Sequence, residues 1–134
     1  MKLLGIDYGQ KRIGLAISQG GMAFPFKTLV KSTKDRLFAD LLDIIEREGI
    51  EAVVLGLPLD LDGQETLTTR QVKNFQASLA RRVAQPIHMV NEALTSFEAA
   101  ERLRQAGVPE RKQAAMLDQM AAVCILEIFL GAQR

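Results

Sequence analysis

The sequence predicts an α/β domain: a three-strand meander extended by parallel strands through helical crossovers, in the order β-β-β-α-β-α-β-α-α. Three observations predict it. Residues 1–30 carry three strand-like runs separated by only a few turn residues. Such links are too short for a crossover, so these strands must run antiparallel to one another. Beyond residue 31, helical periodicity alternates with short apolar runs, the rhythm of β-α-β units and of a parallel sheet. No repeat, low-complexity tract or linker interrupts residues 1–134, which read as one domain of ordinary size.

Leu3 to Ile6 is the first apolar run, closed by Asp7-Tyr8-Gly9-Gln10-Lys11. Ile13 to Ile17 is the second, and Gly20-Gly21 signals a turn before Met22 to Val30. Ser32-Thr33-Lys34-Asp35 has the look of a capping box. The helix it opens repeats Leu37, Leu41, Ile44 and Ile45 at helical spacing, with Gly49 as its stop. Ala52 to Leu55 is continuously apolar, as in a strand buried on both faces, and Gly56-Leu57-Pro58 ends it. A polar loop, Asp60 to Gln64, leads to a second helix with Val72, Phe75, Leu79 and Val83 on one face. Pro86 to Val90 is the last strand. Thr95-Ser96-Phe97-Glu98 caps a third helix, which Gly107-Val108-Pro109 terminates. Gln113 to Leu130 is a long, mostly apolar helix that must pack deep against the sheet.

Composition excludes several classes of function. Lys and Arg total 17 against 16 Asp and Glu, a formal net charge of +1. A nucleic-acid partner would therefore have to be met by basic residues gathered locally. One Cys and one His leave no internal disulfide and almost no ligands for a structural zinc. No apolar stretch reaches the roughly 20 residues of a membrane span, and the chain runs from Met1 straight into a strand without a signal peptide. The expectation is a cytoplasmic protein. Cys124, Met116 and Met120 read as packing residues, His88 as a strand histidine, and Asp60 and Asp62 as turn residues.

The carboxylates carry the chemistry. Asp7 lies at the exit of the first strand and Glu92 just past the last. If those strands are parallel, both acids emerge at the carboxyl edge, where open α/β sheets build their sites. Asp118 lies on the final helix with Ala114, Ala115, Ala121 and Ala122 one turn to either side. Such small residues would let the helix come close enough for Asp118 to point towards Asp7. Three converging carboxylates repel one another, and Mg²⁺ or Mn²⁺, hard cations that take oxygen ligands, relieve the repulsion. A pair of such ions can stabilise the attacking and leaving oxygens of a phosphodiester cleavage. No Ser-His or Cys-His arrangement offers a protein nucleophile instead.

Four segments carry a family resemblance that spans nearly the whole chain. They are Gly5-Ile6-Asp7-Tyr8-Gly9 with Lys11-Arg12-Ile13-Gly14-Leu15-Ala16, Val53-Val54-Leu55-Gly56-Leu57-Pro58-Leu59 with Asp62-Gly63, Asn91-Glu92-Ala93-Leu94-Thr95-Ser96, and Leu117-Asp118-Gln119-Met120-Ala121-Ala122. In this order they resemble the YqgF family of RNase H-like nucleases. The resemblance implies a five-stranded mixed sheet flanked by helices, with the second strand antiparallel. It also implies a divalent-metal nuclease of ribosome biogenesis acting at the 5′ end of pre-16S rRNA or, in an alternative description of the family, a Holliday junction resolvase. By position it carries the catalytic and metal-binding acids onto Asp7, Glu92 and Asp118. Gly9, Lys11 and Arg12 in the first hairpin, with Arg70 and Lys73 on the second helix, are the candidate nucleic-acid contacts.

One departure stands out. The family pattern Asp-Glu-Arg before Leu-Thr is here Asn91-Glu92-Ala93. The Glu ligand is kept, a charge is lost at Asn91, and a guanidinium that grips phosphate in two places is lost at Ala93. Three readings follow: a nuclease of structured RNA, a resolvase of branched DNA, and a non-catalytic RNA-binding assembly factor. Junction cleavage needs two facing sites and so a homodimer, whereas RNA cleavage is open to a monomer.

Overall fold

The computed structural model describes residues 1–93 and 95–132. Strands β1 (Leu3–Tyr8), β2 (Arg12–Gln19) and β3 (Met22–Val30) are followed by helix α1 (Lys34–Arg47) and strand β4 (Ala52–Leu57). Helix α2 (Leu67–Ala80), strand β5 (Ile87–Asn91) and helices α3 (Thr95–Gln105) and α4 (Glu110–Ala132) complete the chain. The five strands form one sheet in the order β3-β2-β1-β4-β5. β2 is antiparallel to both β1 and β3, while β4 is parallel to β1 and to β5. The short hairpin links force the first arrangement, and the crossovers through α1 and α2 allow the second. This is the α/β order and mixed sheet that the sequence predicts, and its architecture is RNase H-like.

The alternation of side chains divides the sheet into two unlike faces. Leu4 and Ile6 of β1, Ile13 and Leu15 of β2, and Val53 and Leu55 of β4 point to one face. There they pack against Leu37, Phe38, Leu41, Ile44 and Ile45 of α1 and Val72, Phe75 and Leu79 of α2. The opposite face presents small residues and packs against α4 through Ala122, Ile125 and Leu126. Two glycines set that approach. A Cβ on Gly14 would lie 2.0 Å from the backbone oxygen of Asp118, and one on Gly5 would lie 2.9 Å from that of Ala122. The helix backbone thus rests directly on the strands, and a single methyl group at Gly14 would occupy the space of the Asp118 carbonyl.

The close approach was expected from alanines on α4, and the structure divides the work differently. Ala122 faces the sheet, but Ala121 turns with Cys124 towards Ala99 of α3. Cys124 is buried there as a small packing residue. The side chains of Ala114 and Ala115 lie outside the described residues, as do Leu94 and the side chains of Thr95 and Ser96, so the expected Thr95 cap is among them.

The helix starts differ from expectation in their caps and bounds. At α1 the cap is Thr33 alone, whose side chain accepts from the N–H of Arg36. The third helical position holds that arginine, which has no acceptor to return to the cap backbone. The capping box forms at α2 instead, where Thr66 and Thr69 bond each other's backbone N–H. Threonine replaces the usual glutamate there, which hides the signal in the sequence. α2 ends at Ala80, so Val83 packs on the core from the following turn. α4 begins at Glu110 rather than Gln113. No helix among the described residues is long and apolar enough to cross a membrane.

Candidate active site

Parallel pairing brings the ends of β1, β4 and β5 to one edge of the sheet. Ile6 pairs with Leu55, and Leu57 with Asn91. Asp7 and Glu92 follow immediately, and the N–H of Glu92 donates to the carbonyl of Leu57 at 3.1 Å. β1 and β5 are not neighbours, because β4 lies between them. Two strand spacings amount to about 10 Å, too far for two short acids to meet. The longer glutamate side chain and Gly56 on β4 close this gap. A Cβ at Gly56 would lie 2.6 Å from Glu92 Oε2, so the carboxylate passes over the strand where no side chain obstructs it. An isolated glycine inside a strand is the sequence signal of such close passage.

The Glu92 and Asp7 carboxyl groups lie within hydrogen-bonding reach of each other, which a proton on Glu92 would satisfy. Burial, and then the charge of Asp7, pushes the Glu92 carboxyl up to about 9. Burial also pushes Asp7 up to about 6; the bond from Glu92 opposes this and the charge of Asp118 adds to it. The two acids therefore share a proton at neutral pH, with the proton on Glu92. Such a pair at a sheet edge combines desolvation with a specific charge partner, a frequent mark of a functional site.

Asp118 sits on α4 with its backbone against Gly14. Arg12 Nε donates to its Oδ2 at 2.8 Å, from the opening residue of β2. Gln119 fixes the same turn of α4 by donating to Thr28 Oγ1 on β3 at 3.0 Å. The three predicted acids are thus brought to one region, but not around one point. Asp7 and Glu92 meet directly, while Asp118 is held by Arg12. Among the described residues no group of three His, Cys, Asp or Glu side chains is arranged to ligate a single ion. The donor set nevertheless fits a hard divalent cation: two carboxyl groups close enough to share a proton, a third acid within electrostatic reach, and only oxygen donors. The space that a Cβ at Gly56 would fill is taken by the Glu92 carboxylate and the tip of Ile125, so the glycine is what lets Glu92 reach this position.

The other candidates separate by location. Gly9 closes the β1–β2 turn, its N–H donating to the Arg12 carbonyl at 3.0 Å, and a Cβ there would lie 2.5 Å from that oxygen. With Gln10, Lys11, Arg12 and Asp118 it lines a cavity of about 270 Å³. Lys11 is exposed. Arg70 and Lys73 lie on α2, which packs on the opposite face of the sheet, and Lys73 is paired with Glu65 at 2.8 Å. They stand apart from the acids. Asn91 is occupied locally, its Oδ1 accepting from the Ala93 N–H at 2.9 Å. Asp60 likewise shapes its own turn, accepting from the N–H groups of Asp62 and Gln64. The partnership of Tyr8 with Lys31, whose Nζ donates to the tyrosine hydroxyl at 2.9 Å, was not foreseen. No local pattern links two residues 23 positions apart.

The chain is 53% identical over 133 residues to a protein of Maridesulfovibrio salexigens named "Putative pre-16S rRNA nuclease", covering 98% of both chains. It is 54% identical to a protein of the same name from Oleidesulfovibrio alaskensis, covering 98% of this chain and 92% of that one. Among solved structures, Thermus thermophilus RuvC in complex with a Holliday junction substrate has the same fold, with a TM-score of 0.63 at 18% identity over 99% of this chain and 95% of that one. The resolvase of Fowlpox virus in complex with Holliday junction DNA aligns with a TM-score of 0.57 at 10% identity over 99% of both chains. The model of the RuvX family, described as Holliday junction resolvase, matches residues 1–132, and the chain belongs to this RuvX, or YqgF, family.

Proposed function

We propose that this protein is a divalent-metal-dependent nuclease that hydrolyses phosphodiester bonds of structured RNA, with the 5′ end of pre-16S rRNA in the cytoplasm as its substrate. The observation that carries the reading is the convergence of Asp7 and Glu92 at the carboxyl edge of the sheet, where Glu92 reaches over Gly56 of β4, beside Asp118. Desolvated carboxyl groups held this close cost stability unless a cation is to be received there.

Asp7, Glu92 and Asp118 are the ligands in this reading. A bound Mg²⁺ or Mn²⁺ supplies Lewis-acid polarisation of the phosphodiester and neutralises its developing charge. The residues themselves prepare for it in three ways. Glu92 gives up its proton so that its carboxylate and that of Asp7 become oxygen donors together. Arg12 neutralises Asp118 in the free protein, and on release its guanidinium is free to grip a phosphate. Lys11, exposed on the same hairpin, adds a second positive charge at the cavity mouth. Water would attack phosphorus and lose a proton to solvent, the bond to the 3′ oxygen would break, and that oxygen would take up a proton and leave as a hydroxyl, so that no protein nucleophile is consumed.

The substrate is chosen on the names of the relatives above 50% identity. The description of the family model favours a second reading, in which branched DNA is cut by the same acids. A cleavage assay on labelled pre-16S rRNA and on a synthetic four-way junction, with Mn²⁺ or EDTA, tests both. Metal-dependent cutting of the RNA by wild type and none by Asp7→Asn is the expected result. Cutting of the junction alone, by a dimer, establishes the second reading. Tight RNA binding without cleavage of either substrate would leave an assembly factor in which Asn91 and Ala93 have cost the activity.

A further inference from the structure

On the other side of the β1 terminus, away from Asp7, lies a second and larger cleft of about 390 Å³. This is within the range of small-ligand sites, about 300–1,000 Å³. Its inner wall is aromatic: Tyr8 and Phe75 lie with ring centroids 4.5 Å apart, and Phe38 stacks behind Phe75 at 5.6 Å. Its mouth is basic. Lys31 is half-buried and held in place, its Nζ donating to Tyr8 Oη at 2.9 Å and to the Gly9 carbonyl at 3.3 Å, 4.1 Å from the tyrosine ring centre. Lys34 stands beside it at the first turn of α1, where free backbone N–H groups also favour an anion. The facing wall on α2 carries the amides of Gln71 and Asn74. The described lining holds two lysines and no carboxylate, in a chain whose net charge is only +1.

Gln10 connects this cleft to the candidate active site. It lines the cleft and also the cavity bounded by Arg12 and Asp118. Its Nε2 donates to Gln71 Oε1 at 2.9 Å, fastening the β1–β2 turn to α2. A polymer strand crossing the acids and passing over Gln10 arrives at an aromatic wall, hydrogen-bonding amides and two cations. That combination matches the base, base edge and phosphate of a nucleotide.

We propose that the cleft lined by Tyr8, Phe75, Gln71, Asn74, Lys31 and Lys34 is a subsite for one unpaired nucleotide of the substrate strand, adjacent to the cleavage site. Its base takes the place over the Tyr8 ring that the Lys31 ammonium holds in the free protein, with the buried Phe75 backing that ring; its edge meets Gln71 or Asn74, and its phosphate meets the displaced Lys31 and Lys34. A free anion would use the lysines but not the aromatic wall, and a regular duplex cannot offer a base to it. The subsite therefore selects substrates with a single-stranded segment beside the cut. This inference rests on the nuclease reading for its substrate, but the binding itself needs no metal and no cleavage.

The test is a titration of the ¹⁵N-labelled full chain in EDTA, with AMP and UMP compared against ribose 5-phosphate and inorganic phosphate, followed by amide shifts. Both nucleotides should move Tyr8, Gln10 and Asn74, and ribose 5-phosphate should bind roughly tenfold or more weakly, the usual loss when a stacked base is removed. Lys31→Met and the exposed-site variant Asn74→Leu should each weaken nucleotide binding several-fold while leaving the spectrum folded. In the cleavage assay the same two variants should raise KM at unchanged kcat, whereas Asp7→Asn removes kcat. Equal binding of ribose 5-phosphate and nucleotide, or shifts confined to other residues, overturns the subsite. If nucleotides bind as described but no substrate is cut, the nuclease reading fails and the subsite stands. If RNA is cut with unchanged KM in both variants, the subsite fails and the nuclease stands.

Discussion

Replacing Glu92 by glutamine should make the metal-free protein more stable while destroying its function. The folded environment holds the Glu92 carboxyl at about 9 against an ordinary 4.5. A carboxyl raised in this way contributes stability that is complete below its unfolded value and is lost as pH rises through the folded one. Between pH 4.5 and about 9 the unfolded chain ionises Glu92 freely while the native protein resists. Asp7, pushed up to about 6, titrates within the same window, so the two carboxyls compete for one proton and the loss is spread over the pair. At about 1.4 kcal/mol per pH unit, less what water reaching the half-buried pair screens, the wild type gives up roughly 2–4 kcal/mol between pH 5 and pH 8. Glutamine carries a permanent N–H donor for Asp7 and no charge. Thermal melts in EDTA should show Glu92→Gln equal to wild type at pH 5 and higher-melting at pH 8, by roughly 5–10 °C for a domain of this size. Mn²⁺ should raise the wild-type melting temperature at pH 8 and leave the variant nearly unmoved, and the variant should cut RNA at least about 100-fold more slowly. A variant that is less stable at both pH values would refute the reasoning, because Glu92 would then be a structural residue satisfied as it stands.

Three further outcomes follow from other contacts. Gly14→Ala puts a Cβ 2.0 Å from the Asp118 carbonyl oxygen; since that oxygen belongs to the helix backbone and cannot swing aside, urea denaturation should show a loss at or above the upper end of the usual overpacking range of about 1–3 kcal/mol. Arg12→Ala removes an ion pair whose arginine side chain is half exposed, so stability should change by less than about 1 kcal/mol. RNA affinity should nevertheless fall, with a salt dependence about one charge shallower, as read from binding isotherms at several salt concentrations. Ala93→Arg restores the guanidinium of the family pattern at a half-buried position beside the acids, and steady-state kinetics should show KM lowered several-fold; an unchanged KM would mean that Arg12 and Lys11 already supply the phosphate contact.

The nine elements of the described residues were legible because each carries its own local signal. Gly20-Gly21 marks a hairpin, Leu37-Leu41-Ile44-Ile45 marks a helical face, and Ala52–Leu55 marks a strand buried on both sides. Asp7 and Glu92 were legible as a pair because parallel strands put their ends at one edge. What escaped depends on which strand lies between which. That Glu92 must cross β4 follows from the order β1-β4-β5, and only then does Gly56 become a necessity rather than a strand terminator. The Arg12–Asp118 pair joins residues 106 positions apart, and no periodicity encodes it. The capping box of α2 was missed for a local reason: it is written with two threonines.

The alternation within the strands links the core to the site. On β1, Leu4 and Ile6 serve the α1–α2 core while Leu3, Gly5 and Asp7 follow one another along the face covered by α4. The same pleat that makes that face small enough for a helix backbone to rest on Gly5 and Gly14 aims Asp7 towards Asp118. Close packing and acid placement are thus one geometric decision. Its electrostatic consequence is three carboxylates near one another, which folding alone would resist. The free protein meets it with two small positive charges: the proton on Glu92 and the guanidinium of Arg12 on Asp118. Both can be displaced without moving the backbone. A cation that takes the place of the proton, and a phosphate that draws Arg12 away, would therefore bind a scaffold that is already arranged, with little conformational entropy left to lose.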